Sequence, residues 1–212
     1  MSTDLAIFGG EPIRKEPFPA WPRITEEMKK SLIHTFEEEE WGVGSKTITL
    51  FNEQFATMQD AKYCLSIHSG TSAIWICLKA AGIEAGDEVI LPSYTFIATA
   101  TAVVLANAVP VFADIDKKTA NLDPTSVEKL ITKKTKAIIP VHTAGAPADM
   151  KAFLDISKKY DIPIIEDAAQ GHGSMIDNKK VGAIGLGGIF SFQTSKNMSS
   201  GEGGAIAVSY TH

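Results

Sequence analysis

Tyr63-Cys64-Leu65-Ser66-Ile67-His68-Ser69-Gly70-Thr71-Ser72-Ala73-Ile74 is the stretch that decides the fold. Its first five residues read as a short strand, Ser69-Gly70-Thr71-Ser72 opens a helix, and Ile74, Cys77, Leu78 and Ala81 recur at helical spacing. From Tyr63 onward, short β-branched or apolar runs alternate with helical patterns in this way, the pattern of a mostly parallel sheet covered on both faces. Seven strands are expected: Tyr63–Ile67, Glu88–Leu91, Val109–Ala113, Ala137–Val141, Pro163–Glu166, Gly188–Phe192 and Ala205–Val208. Helical signals fill the first four or five gaps. Asp123-Pro124 is an N-cap followed by proline at the first helical position, and Met150, Phe153, Leu154 and Ser157 repeat the helical period. Only about a dozen residues rich in Ser and Gly join the sixth strand to the seventh, too few for a helical crossover, so the seventh is expected to run antiparallel. The fold class is therefore α/β, a three-layer α/β/α arrangement around a mostly parallel seven-stranded sheet.

The first sixty residues differ. Pro12, Pro17, Pro19 and Pro22 make an extended arm, and two helical stretches follow around Glu26–Glu39 and Thr47–Gln59, with a turn at Trp41-Gly42-Val43-Gly44. The expected division is an arm with helices over 1–60 and a ligand-binding domain over 61–212. Across 212 residues, 20 Lys and Arg against 25 Asp and Glu give a net charge of −5 with no basic block, which disfavours a nucleic-acid partner. The N-terminal apolar patch is too short for a signal peptide. The longest weakly polar stretch, Ala98 to Ala113, is interrupted by Thr99, Thr101, Asn107 and Pro110 and falls short of a membrane span. Cys64 and Cys77 sit among apolar neighbours at no metal-ligand spacing and read as buried thiols in a reducing, cytoplasmic setting.

In open α/β sheets ligands bind outside the carboxyl ends of the strands, so the polar residues following each run carry the functional reading. After the first strand, the N–H groups and dipole of a helix start, with the hydroxyls of Thr71 and Ser72 beside Gly70, favour a phosphate; alone, the motif is more often just an N-cap. It has neither the Gly-Lys-Ser/Thr of a Walker loop nor three spaced glycines, which disfavours ATP and NAD. After the second strand, Tyr94-Thr95-Phe96 offers an aromatic ring to stack on a planar ligand, or to pack in the core. After the fifth comes Glu166-Asp167-Ala168-Ala169-Gln170, where an apolar run ends in charge; Asp167 reads as an acid with a cationic partner or as an N-cap. After the sixth, Phe192-Gln193-Thr194-Ser195-Lys196 precedes Gly201-Glu202-Gly203-Gly204, and Lys196 reads as a desolvated amine nucleophile or a surface lysine. A phosphate cradle, a flat-ring platform, a buried acid and a lone lysine together are what pyridoxal 5'-phosphate requires.

Ser69-Gly70-Thr71-Ser72-Ala73, Pro92-Ser93-Tyr94-Thr95-Phe96, Glu166-Asp167-Ala168-Ala169-Gln170 and Ser191-Phe192-Gln193-Thr194-Ser195-Lys196-Asn197 with Gly201-Glu202-Gly203-Gly204 resemble, in order and separation, the DegT/StrS-type sugar aminotransferases. The resemblance covers nearly the whole chain and implies a fold-type-I enzyme that uses pyridoxal 5'-phosphate. It implies that Lys196 carries the Schiff base and shuttles the proton, that Asp167 pairs with the pyridine nitrogen, and that Gln170 lies near the ring hydroxyl. It further implies that Phe96 stacks on the ring and that Gly70, Thr71, Ser72 and Ser191 hold the phosphate. The implied reaction moves an amino group from glutamate or glutamine to a keto sugar or cyclitol ketone. The implied assembly is a homodimer with its active site at the interface.

Two local departures, His142-Thr143-Ala144 after the fourth strand and Leu186-Gly187 before the sixth, depart from the usual residues, as does His68. His142 reads as a hydrogen-bonding support near the cofactor or as a satisfied core residue. His142 and His172 have no ligand spacing that would make a metal site with Asp167, and none is expected. Members of the family run to about twice this length with a smaller C-terminal domain, so the sequence reads as the large domain alone. A catalytically silent binding protein on the same scaffold is the rival from another class. A dehydratase is disfavoured by the presence of Lys196.

Overall fold

The computed structural model describes residues 5–39 and 41–209. They divide into two compact units, with the second beginning at Trp41. In the first, helix α1 (Glu26–Glu37) starts where the Thr25 hydroxyl accepts the Met28 N–H, and Glu26 and Glu27 complement the positive end of the helix. In the preceding arm the Arg14 guanidinium lies 4.2 Å from the centroid of the Phe18 ring.

The second unit starts with α2 (Lys46–Met58), capped by Ser45, and continues through β1 (Tyr63–Ile67), α3 (Gly70–Ala80), β2 (Glu88–Pro92), α4 (Ala98–Leu105) and β3 (Val109–Ala113). There follow α5 (Pro124–Leu130), β4 (Thr135–Ile138), α6 (Met150–Tyr160), β5 (Ile165–Asp167), β6 (Met175–Ile176), β7 (Lys179–Lys180), β8 (Gly187–Ser191) and β9 (Gly204–Val208). Local chemistry sets the boundaries. Asp123 caps α5 by accepting the Thr125 N–H at 2.8 Å, with Pro124 at the first helical position. Asp149 caps α6, and Asp161 ends it in the left-handed conformation.

The large strands form two ladders, β1-β9-β8-β5 and β3-β2-β4. Pairing is parallel within β3-β2-β4 and between β5 and β8, while β9 runs antiparallel to both β8 and β1, as the short glycine-rich connection requires. The expected continuous seven-stranded sheet is thus interrupted between β4 and β5. There only isolated bridges, Ile138 to Ile164 and Val141 to Asp167, join the ladders. The physical reason is the pair Pro140 and Pro163, which have no N–H to give and serve only as acceptors, from Asp167 N at 2.9 Å and Ile138 N at 3.1 Å. A second difference is the β6-β7 hairpin, which is too short to carry a strand pattern. Its turn residues Asp177 and Asn178 both have positive φ, the backbone such a tight hairpin demands.

Alternation along the strands distributes the core into two faces. Val89 and Leu91 of β2, Ala137 of β4, Ile189 of β8 and Ile206 of β9 pack under α3 and α4. Ile90 and Ile138 face the opposite way, toward Val127 of α5 and Phe153 and Ile156 of α6. On that same side Phe190, Ala205 and Ala207 meet Phe55 of α2. Helix α2 therefore belongs with the sheet, and the compact unit begins some twenty residues before position 61. Cys77 is buried and Cys64 half-buried, and burial pushes both thiols up to about 12. Among the described residues no helix is long and apolar enough to cross a membrane.

Phe55 makes edge-on contacts with Phe190 at 5.0 Å and Phe192 at 5.3 Å between ring centroids. Phe55→Ala is expected to cost about 3–5 kcal/mol in denaturant unfolding, the range for deleting a buried phenyl ring. A loss below about 1 kcal/mol would mean that α2 contributes little to the unit.

Candidate functional site

The carboxyl ends of β1, β2, β4, β5 and β8 open onto one cleft of about 450 Å³. Gly70, Thr71, Phe96, Asp167, Gln170, Ser191 and Lys196 all line it, from four segments of sequence, together with Thr95, Thr99 and Glu202. Ser72 does not. Its hydroxyl turns back to Ser69 Oγ at 3.0 Å and His68 Nε2 at 2.7 Å, and its N–H goes to Ser69 Oγ, so it braces the helix cap from behind.

The start of α3 is wedged into the sheet edge by two glycines. A Cβ on Gly70 would sit 2.9 Å from Ser191 Cβ, and one on Gly204 would sit 2.6 Å from Ser69 O and 2.7 Å from Gly70 N. Only hydrogen at these positions lets the helix terminus, the end of β8 and the start of β9 meet. Gly70 and Thr71, whose N–H groups a first helical turn leaves without intrahelical acceptors, thereby line the cleft together with Ser191. That is a cradle for an anion.

Asp167 ends β5 with 5% of its surface exposed. Thr99 donates its hydroxyl to Oδ2 at 2.8 Å and the Ala169 N–H reaches Oδ1 at 3.2 Å. Burial holds the carboxyl above its ordinary value, against the opposing pull of these hydrogen bonds and of the nearby Lys196 charge. Lys196 itself sits half-buried in the turn after β8. That turn is ordered by Gln193, whose side-chain oxygen accepts from Ser195 N and Oγ at 2.8 and 2.7 Å and whose carbonyl accepts the Lys196 N–H at 2.9 Å. Phe96, 67% exposed, presents its ring to the cleft from the loop between β2 and α4. Gln170 uses its side-chain oxygen to accept the Ala144 N–H at 2.6 Å, which fixes the left-handed turn after His142.

Glu166, next to Asp167, points to the opposite face and has no exposed surface. Its carboxylate accepts from the N–H groups of Gly182, Ile184 and Gly185, each at 2.7 Å, and from His142 Nε2 at 3.1 Å. His142 Nδ1 accepts the Ala148 N–H at 3.1 Å, so the ring N–H is at Nε2 and donates to Glu166 Oε2. His142 therefore supports the strand that carries the acid rather than touching the cleft. His172 packs among Phe55, Phe190 and Phe192, and burial lowers its pKa. Sequence reasoning did not single out Thr99 or the clamp on Glu166. The available signal was that two successive acids ending an apolar strand must face opposite sides, each needing its own donors.

Residues 22–210 match the model of the DegT/DnrJ/EryC1/StrS aminotransferase family. The L-glutamine:2-deoxy-scyllo-inosose aminotransferase of Streptomyces kanamyceticus is 41% identical over 96% of this chain and 49% of its own length. Among solved structures, the aminotransferase from Psychrobacter cryohalolentis superposes with a TM-score of 0.88 and 37% identity over 92% of this chain and 50% of that one. NtdA of Bacillus subtilis, solved with bound cofactor PMP, gives 0.81 and 34% over 89% and 43%. The chain spans about half the length of the curated relatives it matches.

An acid whose folded value is raised contributes stability that is complete below its ordinary pKa of 3.8 and is lost as pH rises through the folded-state value. Asp167→Asn is therefore expected to raise the melting temperature of the ligand-free chain near neutral pH. A gain of about 1 kcal/mol would appear as roughly 2–4 °C in a domain of this size. The gain should vanish in acid below about pH 3.8. Calorimetry across pH measures it, and an equal gain at every pH would remove ionisation of Asp167 as the cause.

Proposed function

This chain belongs to the DegT/DnrJ/EryC1/StrS aminotransferase family, and we propose from that premise that it binds pyridoxal 5'-phosphate in the cleft at Lys196. In the whole protein the group serves transfer of an amino group from L-glutamine or L-glutamate to a keto sugar or cyclitol ketone. The observation that carries this reading is the convergence, in one cleft, of an amine, a buried carboxyl and the start of a glycine-wedged helix. The residues present fit the group: an anion cradle, an acid held away from water, an exposed ring and a lysine line the same cleft.

The cofactor, when bound, supplies an electrophilic carbonyl and a ring that withdraws electrons from a bond made to it. Gly70 and Thr71 would hold its phosphate through backbone N–H groups, with the hydroxyls of Thr71 and Ser191, and Ser72 would keep the Ser69 cap in place. Asp167 would keep a proton on the ring nitrogen, since a carboxylate deprived of water gains most from a cationic partner. Gln170, already anchored through its oxygen, would turn its amide N–H toward the ring hydroxyl, and Phe96 would cover one ring face. Lys196 Nζ would act as the nucleophile that attaches the group and, once released, as the base that takes a proton from the α-carbon of the donor. The acceptor class is supported by the cyclitol ketone in the names of the relatives that match nearly all of this chain. The reading extends to a cytoplasmic homodimer, supported by two unpaired thiols and by the likeness to the family.

Incubation with pyridoxal 5'-phosphate, reduction with borohydride and peptide mapping are expected to label Lys196, with no label in Lys196→Ala. Label on Lys179 or Lys180, in the β6-β7 hairpin, would overturn the assignment. Phe96→Ala is expected to weaken cofactor retention about fivefold, the equivalent of roughly 1 kcal/mol of lost stacking, with the unfolding midpoint unchanged because the ring is exposed. Unaltered retention in equilibrium dialysis would show that the ring does not cover the cofactor.

A further inference from the structure

Several threonines within the helices of this chain bond back along their own helix. Thr101 Oγ1 donates to Ile97 O, Thr57 Oγ1 to Glu53 O and Thr49 Oγ1 to Ser45 O, each four residues earlier. Thr99, fully buried in the first turn of α4, departs from that habit. Its hydroxyl donates to Asp167 Oδ2 at 2.8 Å, and its oxygen lies 2.8 Å from Thr95 Oγ1. A hydroxyl has one proton, and that of Thr99 is committed to the carboxylate, so Thr95 must be the donor in the second contact. The result is a directed chain, Thr95 to Thr99 to Asp167, that joins the loop bearing Phe96 to the end of β5. Both threonines also line the cleft.

We infer that Thr99, oriented by Thr95, is a positioning residue that fixes the Asp167 carboxylate for its cationic partner in the cleft. This rests on the reading of Asp167 given above. With Oδ2 held by Thr99 and Oδ1 by the Ala169 N–H, the carboxylate plane is set before any ligand arrives. The bond from Thr99 also favours the ionised form, opposing the burial that penalises it. The other ionisable groups about this carboxyl are Lys196 from the turn after β8 and His142 at the exit of β4, while Glu166 faces the other side of the sheet. A charge-assisted hydrogen bond in a buried setting is strong enough to matter for binding.

The test separates hydrogen bonding from packing by crossing two substitutions. Thr99→Val keeps the volume and loses the hydroxyl; Thr99→Ser keeps the hydroxyl and loses a methyl group. The proposal expects Thr99→Val to retain pyridoxal 5'-phosphate about tenfold less tightly in dialysis, with its visible absorbance band moved in the same direction as that of Asp167→Asn. Thr99→Ser should behave like the parent. In the cofactor-free chain, carbon-13 NMR of the Asp167 carboxyl should show its titration moved further upward in Thr99→Val alone. Should Thr99→Val fail to fold, Thr95→Val, at a half-buried position, removes the orienting donor and is expected to give a smaller change of the same sign. A Thr99→Val chain that matches the parent in retention and spectrum, or a Thr99→Ser chain as impaired as the valine variant, overturns the proposal. If retention falls in Asp167→Asn but not in Thr99→Val, only this inference fails. If the parent chain retains no cofactor, the functional reading fails with it.

Discussion

A carboxylate with no exposed surface holds this structure together at its thinnest point. Between β4 and β5 the prolines at 140 and 163 remove ladder donors, and only single bridges connect the two halves of the sheet. Glu166 spans that gap from below. It takes one hydrogen bond from His142 at the exit of β4 and three from the backbone of 182–185, the segment that leads into β8. Burying such a charge without donors would be prohibitive, and four donors make it tenable. Because successive strand residues face opposite ways, the same arrangement obliges Asp167 to face the cleft.

The cleft is built from features that work against stability in isolation. Asp167 is desolvated and its carboxyl is pushed upward. Phe96 leaves an aromatic ring in water, and a helix start is driven into a strand edge where any side chain larger than hydrogen would collide. Each becomes sensible when the cleft is occupied by a flat, anionic ring with a basic nitrogen. Cost in the empty protein is then the counterpart of binding in the loaded one.

Much of this was legible in the sequence. The alternation of apolar runs and helical periods located the large strands, and the short Ser- and Gly-rich link before Ala205 announced the antiparallel β9. Asp167, Lys196 and the Ser69-Gly70-Thr71 turn stood out because charge or small polar residues ended apolar runs. What stayed hidden depends on partners distant in sequence. Thr99 looked like a mere interruption of an apolar stretch, since its partner Asp167 lies 68 residues away. Ser72 looked equivalent to Thr71 until the helix rotated it toward His68. The break in the sheet could have been suspected from Pro140 and Pro163, yet their mutual position follows only from the register of β4 against β5. Helix α2 was assigned to the arm because nothing local revealed that Phe55 packs on Phe190.

The central claim is that one cleft, at the carboxyl edge of the sheet, holds the cofactor between the start of α3 and Asp167. A crystal structure of the chain grown with pyridoxal 5'-phosphate tests it most directly. The account predicts electron density continuous with Lys196 Nζ, a phosphate at the N–H groups of Gly70 and Thr71, and the ring nitrogen within hydrogen-bonding distance of the Asp167 carboxylate. Density attached to a different lysine, or a ring whose nitrogen points away from Asp167, would contradict it.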